Sequence, residues 1–329
     1  MTQNCTDQSM EDAREAASRD KLVVWQFCDG KRGHESQSEG LLSALARRTC
    51  VEIHPLQAAA CRGAIWAGLF GRFPPGRGLP APDLIVGAGH ATHWPMLAAR
   101  RCFGGRIVVL MRPTLPLCWF DFAVVPEHDT PPDSERVMAT RGVLNLIKPS
   151  NDPNPQKGLV LLGGPSRHHD WDDAEMIEQL KSVFAALPDV SWTLTNSRRT
   201  PATTLPAIER LEEEKLTLVP HQETPSGWVP AQLAECGHVW VSEDSVSMLF
   251  EALTAGAGVG LLHVPSRPGT SRVVAAVERL KAEGSVSLIG DRGLIAASRE
   301  SPLAEADRVA DWLMEKMLPA EAAHCGDAC

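Results

Sequence analysis

Chemically active side chains concentrate where apolar runs of the sequence end. The first such segment, Cys28–Gln37, follows the run Leu22–Phe27 and combines two carboxylates, two cations, an imidazole and an amide with two glycines. Its candidate residues are Asp29, Gly30, Lys31, Arg32, Gly33, His34 and Gln37. Imidazole and carboxylate groups serve as general bases near neutral pH, and glycine allows a ligand close to the backbone. The segment therefore predicts either a binding loop that holds a base or a solvated loop that caps a helix.

Two further segments of the N-terminal half also follow apolar runs. One carries Gly89 and His90 after the run Leu84–Val86, and the other carries Glu127 and His128. A lone Gly-x-Gly, without the third glycine of the dinucleotide fingerprint, does not support a Rossmann dehydrogenase. It still allows the backbone to approach a sugar or a phosphate. Glu127 is a further candidate base, and the alternative for its segment is an ordinary polar turn.

Anion-binding side chains follow two runs of the C-terminal half. One segment places two glycines, a hydroxyl and a guanidinium after Leu159–Leu162, and another places a hydroxyl and two guanidinium groups after Ser191–Thr195. The candidates are Gly163, Gly164, Ser166, Arg167, Ser197, Arg198 and Arg199. Guanidinium groups and closely approached backbone amides both bind phosphate. The first segment lacks the Gly-Lys-Ser/Thr ending of a P-loop, which argues against ATP hydrolysis.

The stretch Val241–Gly256 carries the most specific pattern. It predicts a helix capped by Ser242 or Asp244 and ended by its last glycine. Its candidate residues are Asp244, Ser245, Ser247, Met248 and Glu251. A helix start binds a diphosphate through its free amides, and Glu251 further along accepts hydrogen bonds from ribose hydroxyls. Because Asp244 lies where the phosphates would bind, it is either consumed as a cap or directed to the sugar. The alternative is a capped core helix with an exposed Glu251.

Continuously apolar runs predict the elements that position these side chains. Strands buried on both faces are typical of parallel sheets covered by helices. The predicted strands are Leu22–Phe27, Leu84–Val86, Ile107–Met111, Phe122–Val125, Leu159–Leu162, Ser191–Thr195, Leu216–Val219, Val239–Val241 and Val259–Val264. Asp172 is expected to cap a helix with an apolar face. The predicted fold class is α/β, with two Rossmann-like parallel-sheet domains that face each other across a cleft.

Breaks in this alternation predict the domain boundaries. Three prolines between Pro149 and Pro155 are expected to allow neither a helix nor a central strand. The expected segments are a flexible tail at 1–20, an acceptor-side domain at 21–148, a linker at 149–156, a nucleotide-sugar-side domain at 157–301, a crossing helix at 302–318 and a second flexible tail at 319–329.

Composition excludes several classes of function. The 329 residues carry a formal net charge of -9, so the chain lacks the surplus of Lys and Arg that a nucleic-acid partner requires. No apolar run is long enough to span a bilayer, and we expect a cytoplasmic protein. A basic, aromatic segment between Arg62 and Arg77 suggests peripheral contact with an inner membrane, with a partly buried helix as the alternative. The adjacent His168 and His169 lack a matching ligand group, so no metal site is expected.

Taken together, these motifs resemble the mitochondrial-fission ELM family. The matching strings are Asp29–His34 with Gln37, Pro82–His90, Pro126–Asp129, Gly163-Gly164 and Asp244–Met248, of which the last is the most specific. The likeness extends from about residue 22 to about residue 315. At the level of architecture the chain is also similar to GT-B glycosyltransferases. That similarity implies an acceptor-binding N-terminal domain, a sugar-nucleotide-binding C-terminal domain and a final helix that crosses back to the first domain.

We therefore predict a metal-independent glycosyltransferase whose substrate is a nucleotide-diphosphate sugar and which needs no further cofactor. The acceptor is expected to be a glycan or a lipid-linked sugar of the cell envelope, bound by the N-terminal loops. The candidate bases are His34, Asp29 and Glu127, in that order. Two alternatives stay open: a nucleotide-sugar 2-epimerase on the same fold, an activity with which some family members are described, and a binding or scaffold protein without catalysis.

Overall fold

The computed structural model describes residues 21–61, 63, 71–150, 152–268, 272–290 and 303–317. The chain divides into two units, one formed by the residues up to Leu146 together with those from Glu305 onward, the other by Ile147–Ala304. Half of the basic, aromatic segment that suggested membrane contact lies outside the described residues, as do both expected tails. Each unit is described by itself.

The N-terminal domain is built on a six-stranded parallel sheet with the order β2-β1-β3-β4-β5-β6. Its elements are β1 (Leu22–Cys28), α1 (Arg32–Ala46), β2 (Val51–Gln57), β3 (Leu84–Ala88), α2 (His90–Phe103), β4 (Arg106–Leu110), β5 (Phe122–Pro126) and β6 (Val137–Thr140). The four predicted strands of this half are confirmed. The prediction missed β2 and β6, because both are edge strands whose residues are only partly buried and whose sequences are not continuously apolar.

The C-terminal domain contains a second six-stranded parallel sheet, with the order β12-β11-β10-β7-β8-β9. Its elements are β7 (Asn154–Leu161), α3 (Asp173–Ala186), β8 (Ser191–Thr195), α4 (Thr204–Glu209), β9 (Leu216–Leu218), α5 (Trp228–Glu235), β10 (Cys236–Ser242), α6 (Val246–Ala255), β11 (Gly258–Leu262), α7 (Arg272–Ala282) and β12 (Ser287–Leu288). All five strands predicted for this half are confirmed, and β12 was missed.

One expectation about the proline-rich segment is wrong. Strand β7 already begins at Asn154 and includes Pro155, although three nearby prolines were expected to prevent a central strand. The first four residues of β7 are exposed, and only the last four are buried in the sheet. Because Pro155 lies in this exposed extension, its missing N–H group is not a buried loss.

The caps of two helices test the local predictions. Asp172 is the N-cap of α3, where its carboxylate accepts hydrogen bonds from the backbone amides of Ala174 and Glu175, as expected. The expectation that Ser242 or Asp244 caps α6 is wrong, because the N-cap is Ser245 and no side chain makes a cap hydrogen bond there. The helix start of α6 is therefore left with free backbone donors.

The final helix α8 (Glu305–Met317) belongs to the N-terminal domain, as the crossing helix was expected to do. Val309, Ala310 and Leu313 are buried against the core that α1 and the sheet share. Arg48, two residues after the end of α1, binds both Asp307 and Asp311 of α8, with nitrogen–oxygen distances of 2.7 and 2.5 Å. Burial and paired charges together fix the helix on this domain.

None of the described helices is both long enough and apolar enough to cross a membrane.

Candidate functional site

Each sheet has one position where the strand order reverses. In open parallel sheets, ligands bind at the carboxyl ends of the strands beside such a switch point. In the N-terminal domain it lies between β1 and β3, and in the C-terminal domain between β7 and β10. Four of the segments singled out in the sequence follow these four strands, and the other two follow β5 and β8, so the fold supports a candidate site in each domain.

Asp29 and His34 form a hydrogen-bonded pair beside the N-terminal switch point. The Nδ1 atom of His34 lies 2.8 Å from Oδ2 of Asp29, whose side chain is only 1% exposed. The backbone amide of Lys31 donates to the other carboxylate oxygen at 3.1 Å. Because a carboxylate can only accept, Nδ1 carries the proton and Nε2 presents its lone pair. Within the part of the chain that the structure describes, Nε2 has no partner, so His34 is arranged as a base and Asp29 as the group that orients it.

Gly89 of the second loop lies directly against the His34 ring. A Cβ atom at residue 89 would stand 2.4 Å from Nδ1 of His34, and its φ of +83° favours glycine as well. No side chain larger than hydrogen fits there without displacing the imidazole. The loops after β1 and β3 are thus brought together, as the sequence suggested, and the glycine is what permits the approach.

The segment after β1 is shorter than the sequence indicated. Helix α1 already starts at Arg32, so Gly33, His34 and Gln37 lie on a helix and not in a loop. The Gln37 amide donates to the Gly33 carbonyl at 3.1 Å and is buried, which leaves it a structural role. Lys31 is the N-cap and makes no side-chain cap hydrogen bond. Its ammonium group lies 4.0 Å from Oδ2 of Asp29, so this carboxylate already compensates a cation at the positive end of the helix dipole.

Glu127 and His128 do not join the His34 pair. They form a short 3-10 turn after β5, which is three strands away from β1. At about 4.8 Å per strand, the two positions are separated by about 14 Å. Of the three candidate bases, the structure therefore brings together His34 and Asp29 and leaves Glu127 apart.

His93 is a buried histidine that the sequence reasoning did not select. It lies in the first turns of α2, only 2% exposed, with its ring against Phe120 and its Nδ1 atom 3.4 Å from the Thr114 hydroxyl. Burial, aided by the nearby His90, lowers the pKa of His93 to about 4. The imidazole is neutral at physiological pH. No local sequence signal distinguishes it from the exposed His90 beside it.

Asp244 lies inside the C-terminal switch point and is completely occupied. Its carboxylate accepts from the Ser242 hydroxyl at 2.7 Å and from the Gly164 amide at 3.0 Å, and the Arg199 guanidinium binds it at 2.7 Å. The side chain is 0% exposed. Neither role considered for Asp244 in the sequence, helix cap or sugar ligand, applies. Instead it joins the loops that follow β7, β8 and β10.

The glycines after β7 make room for the protein's own groups. A Cβ atom on Gly163 would stand 2.1 Å from an Asp244 carboxylate oxygen. The amide of Gly163 donates to the Ser242 hydroxyl at 2.7 Å, and its carbonyl accepts from the Ser197 hydroxyl at 2.8 Å. Both glycine amides are therefore already bonded, so the close anion that these glycines permit is the Asp244 carboxylate.

Two of the predicted guanidinium groups stay available. Arg167 and Arg198 are exposed and form no ion pair with any of the described residues, whereas Arg199 is held by Asp244. Ser166 accepts from the amides of His168 and His169 at 3.1 Å each, which fixes the turn that carries Arg167. These free cations follow β7 and β8, so they frame the same edge of the sheet.

Helix α6 begins at the switch point, its first amides bond to no side chain of the described residues, and one face of it is not buried. Ser247 is exposed, and Met248 and Glu251 are partly exposed, while Leu249, Phe250 and the four residues 252–255 are buried. Residues three and four apart share a helix face, so Ser247, Met248 and Glu251 form one continuous surface. This surface leads from the helix start to the Glu251 carboxyl.

The carboxyl group of Glu251 has a strongly shifted pKa. Burial raises its pKa to about 7. Its carboxyl has no hydrogen-bond or ion-pair partner within the described segments, which is unusual for a largely buried acid. An unpaired buried carboxyl whose charge forms near neutral pH is typical of a functional group.

No group of three or more His, Cys, Asp or Glu side chains among the described residues is arranged to hold a metal ion. His169 is buried by the loop that ends in Pro265 and Ser266, and burial lowers its pKa. His168 next to it stays partly exposed. The two imidazoles thus lie in different environments.

Two solved structures that are similar in fold carry the name of a nucleotide sugar in their descriptions. A Listeria monocytogenes protein proposed to be a UDP-N-acetylglucosamine 2-epimerase has a TM-score of 0.58 at 10% identity, over 89% of this chain and 95% of that chain. The UDP-GlcNAc 2-epimerase from Neisseria meningitidis, bound to UDP-GlcNAc, has a TM-score of 0.52 at 12% identity, over 90% of this chain and 100% of that chain. At such identities the likeness shows the fold alone.

A comparison with curated protein sequences gave no significant match. The model of the family described as mitochondrial fission ELM1 matches residues 32–317, which is most of the chain and includes His34, Gly89 and the motifs of the C-terminal switch point, but begins after Asp29. The sequence resemblance and the two Rossmann-like sheets agree with this match. The chain belongs to the mitochondrial fission ELM1 family.

Proposed function

We propose that this protein is a glycosyltransferase that binds a nucleotide-diphosphate sugar in its C-terminal domain. The observation that carries the proposal is the unpaired, largely buried Glu251 carboxyl on the same face of α6 as the free helix start. Free amides at a helix start bind the diphosphate, and the carboxylate accepts hydrogen bonds from the two ribose hydroxyls. Arg167 and Arg198 supply the positive charge that Arg199, bound to Asp244, does not.

In the proposed reaction, an acceptor hydroxyl attacks the anomeric carbon of the sugar. The bond between that carbon and the diphosphate oxygen breaks, and the nucleoside diphosphate leaves. Amides and guanidinium groups stabilise the charge that develops on the leaving group, so the mechanism requires no metal ion. The proton of the acceptor hydroxyl passes to Nε2 of His34, while Asp29 stabilises the imidazolium that forms.

The acceptor in this proposal is a glycan or a lipid-linked sugar of the cell envelope. The N-terminal segments with Lys31, Arg32 and His90 supply polar and cationic groups for it. The proposed setting is the cytoplasm, with peripheral contact at the inner membrane when the acceptor is lipid-linked.

Isothermal titration calorimetry with UDP-, GDP-, CMP- and ADP-sugars tests the donor site. We expect binding of at least one donor, and a loss of at least about tenfold in affinity in Glu251→Ala, because several hydrogen bonds to the ribose disappear. Glu209→Ala, at an exposed position of the same domain, is the matched control and should bind like the wild type. Absence of binding for every donor would contradict the proposal.

A 2-epimerase is the second candidate, since both solved structures compared above carry that name. The two activities differ in what they need. An epimerase converts the nucleotide sugar by itself, whereas the transferase releases nucleoside diphosphate only when an acceptor is added. Incubation of the bound donor without acceptor, followed by NMR of the sugar, therefore separates them. A scaffold protein without catalysis would give neither product.

A further inference from the structure

The carboxyl ends of β8 and β9 carry polar groups that the proposed function has not used. Thr195 is the last residue of β8 and only 3% exposed, and its hydroxyl has no hydrogen-bond partner among the described residues. A buried hydroxyl without a partner has lost its hydrogen bonds to water and forms none within the protein. Such a group in a folded protein calls for an explanation, and a ligand atom is one.

The direction of the Thr195 side chain follows from the alternation of the strand. Trp192 and Leu194 pack in the core cluster that contains Leu180 of α3. Side chains alternate along a strand, so Thr193 and Thr195 point to the opposite face of the sheet. That face is covered by α5 and α6, which share the second core cluster. The orphan hydroxyl therefore lies on the side of the sheet that carries Glu251.

The neighbouring Asn196 presents a hydrogen-bond donor at the same edge. Its side-chain oxygen accepts from the backbone amide of His221, which follows β9, at 2.9 Å. The amide hydrogen of His221 fixes the orientation, because only the oxygen of Asn196 can face it. The Asn196 amide nitrogen consequently points elsewhere, and it donates to no other group in the described part of the chain.

We propose that Thr195 and Asn196 contact the base of the nucleotide and select bases that carry a carbonyl at position 4 of a pyrimidine or position 6 of a purine. The inference rests on the proposed function, which places the diphosphate at the switch point beside β7. Strands β8 and β9 lie one and two strands from β7, or about 5 and 10 Å, which a nucleoside attached to that diphosphate spans. The Asn196 amide donates to the oxygen at position 4 of uracil or position 6 of guanine. Cytosine and adenine carry an amino group there, which would meet this donor with a second donor.

The test is the affinity of UDP, GDP, CDP and ADP for the full chain, measured by isothermal titration calorimetry. For the wild type we expect UDP or GDP to bind at least tenfold more tightly than CDP and ADP. Whichever of the two binds more tightly identifies the carbonyl base. Equal affinities for all four nucleotides would overturn the inference.

Asn196→Asp is the decisive variant, because it keeps the oxygen that accepts from His221 and replaces the amide donor by an acceptor. It also adds a negative charge, which weakens all four nucleotides alike, so the change in preference between them is the readout. We expect it to lose at least tenfold in affinity for the preferred nucleotide relative to CDP or ADP. Circular dichroism and an unchanged melting temperature verify that the variant is folded. A uniform loss for all four nucleotides, or no change, would contradict the proposal.

Thr195→Val removes the orphan hydroxyl while keeping the shape of the side chain. Since that hydroxyl bonds no protein group, we expect no loss of melting temperature but at least a threefold loss in affinity for the preferred nucleotide. Thr193→Val, on the same strand and face, is the matched control and should bind normally. An unchanged affinity in Thr195→Val would remove Thr195 from the subsite.

The failure of this inference differs from the failure of the proposed function. Glu251→Ala should weaken all four nucleotides alike, because every one of them carries the same ribose. Binding that depends on Glu251 but not on Asn196 leaves the nucleotide-sugar site in place and refutes base selection. If none of the four nucleotides binds, both the proposed function and the inference are refuted.

Discussion

Both switch points contain a glycine beside a polar side chain, but the two side chains differ in how many hydrogen-bonding atoms stay available. In each, a glycine leaves room for a polar side chain of the protein itself: Gly89 for the His34 imidazole and Gly163 for the Asp244 carboxylate. His34 keeps one nitrogen free, whereas every side of Asp244 is bonded. The N-terminal switch point thus presents an unbonded ring nitrogen of His34, whereas the Asp244 carboxylate at the C-terminal one holds the surrounding loops together. The free groups of the C-terminal domain are displaced to the start and the exposed face of α6.

The two domains also differ in the direction in which burial shifts the pKa of a side chain. His93 in the N-terminal domain has a pKa lowered to about 4, and Glu251 in the C-terminal domain has a pKa raised to about 7. Burial favours the neutral form of both groups. Acid therefore charges the first and base charges the second, so moderate pH changes in opposite directions destabilise different domains.

Removal of the His34 imidazole should have the largest effect, which is on the rate of the reaction. His34→Ala is expected to slow release of nucleoside diphosphate in the presence of acceptor by about 100- to 10,000-fold, because it removes the proposed general base. Calorimetry should show unchanged donor affinity, since the proposed donor site lies in the other domain. Asp29→Asn, which leaves the ring but disturbs its tautomer, should show a smaller loss. A His34→Ala protein with wild-type turnover would place the base elsewhere.

Removal of the Asp244 carboxylate should lower the stability of the protein. Asp244→Ala is expected to lower the free energy of unfolding by about 3 kcal/mol, because it leaves the buried Gly164 amide and Ser242 hydroxyl without their acceptor. Urea unfolding followed by circular dichroism measures this. The control is Asp170→Ala, whose exposed pair with Arg267 should contribute less than about 1 kcal/mol. Equal effects of the two variants would mean that Asp244 does not brace the loops.

The titration of Glu251 gives a prediction with a defined sign. Its folded pKa of about 7 exceeds the ordinary value of 4.5, so the folded state holds the proton more tightly and stability falls as pH rises from about 4.5 to 7. Glu251→Gln should therefore raise the free energy of unfolding at pH 8 by about 1 to 3 kcal/mol while weakening the nucleotide. Urea titrations at pH 5 and pH 8 measure the difference. A variant no more stable at pH 8 than the wild type would contradict the buried location of this carboxyl.

The titration of His93 should give the opposite slope. Its folded pKa of about 4 lies below the ordinary 6.5, so the unfolded state binds the proton more tightly and stability falls as pH drops through this range. The loss between pH 7 and pH 5 should reach about 1 to 2 kcal/mol. His93→Gln, which does not titrate, should remove that part of the acid sensitivity in the same urea assay. An unchanged pH profile in this variant would show that His93 is accessible to water.

Much of the fold could be read from the sequence because its signals are local. Continuous apolar runs identified nine strands, and Asp172 identified the start of α3. Edge strands β2 and β6 escaped, since half-buried strands do not produce such runs. The motif spacing also placed the candidate residues of each domain at the correct strand ends.

The roles of individual side chains could not be read in this way. Asp244 and Glu251 are both acids near the start of one helix, and sequence reasoning weighed both as ligands. Only the loops after β7 and β8 reveal that Asp244 is consumed by Gly164 and Arg199. These partners lie 80 and 45 residues away along the chain.

By itself, then, the sequence determined the class of fold, the placement of its strands and the loops that carry chemistry, because hydrophobic pattern and turn residues act over a few neighbours. The tertiary structure decided which of those side chains are spent inside the protein and which are left for a ligand. Hydrogen bonding and burial depend on groups from distant strands, so only their assembly leaves His34 and Glu251 available and closes Asp244.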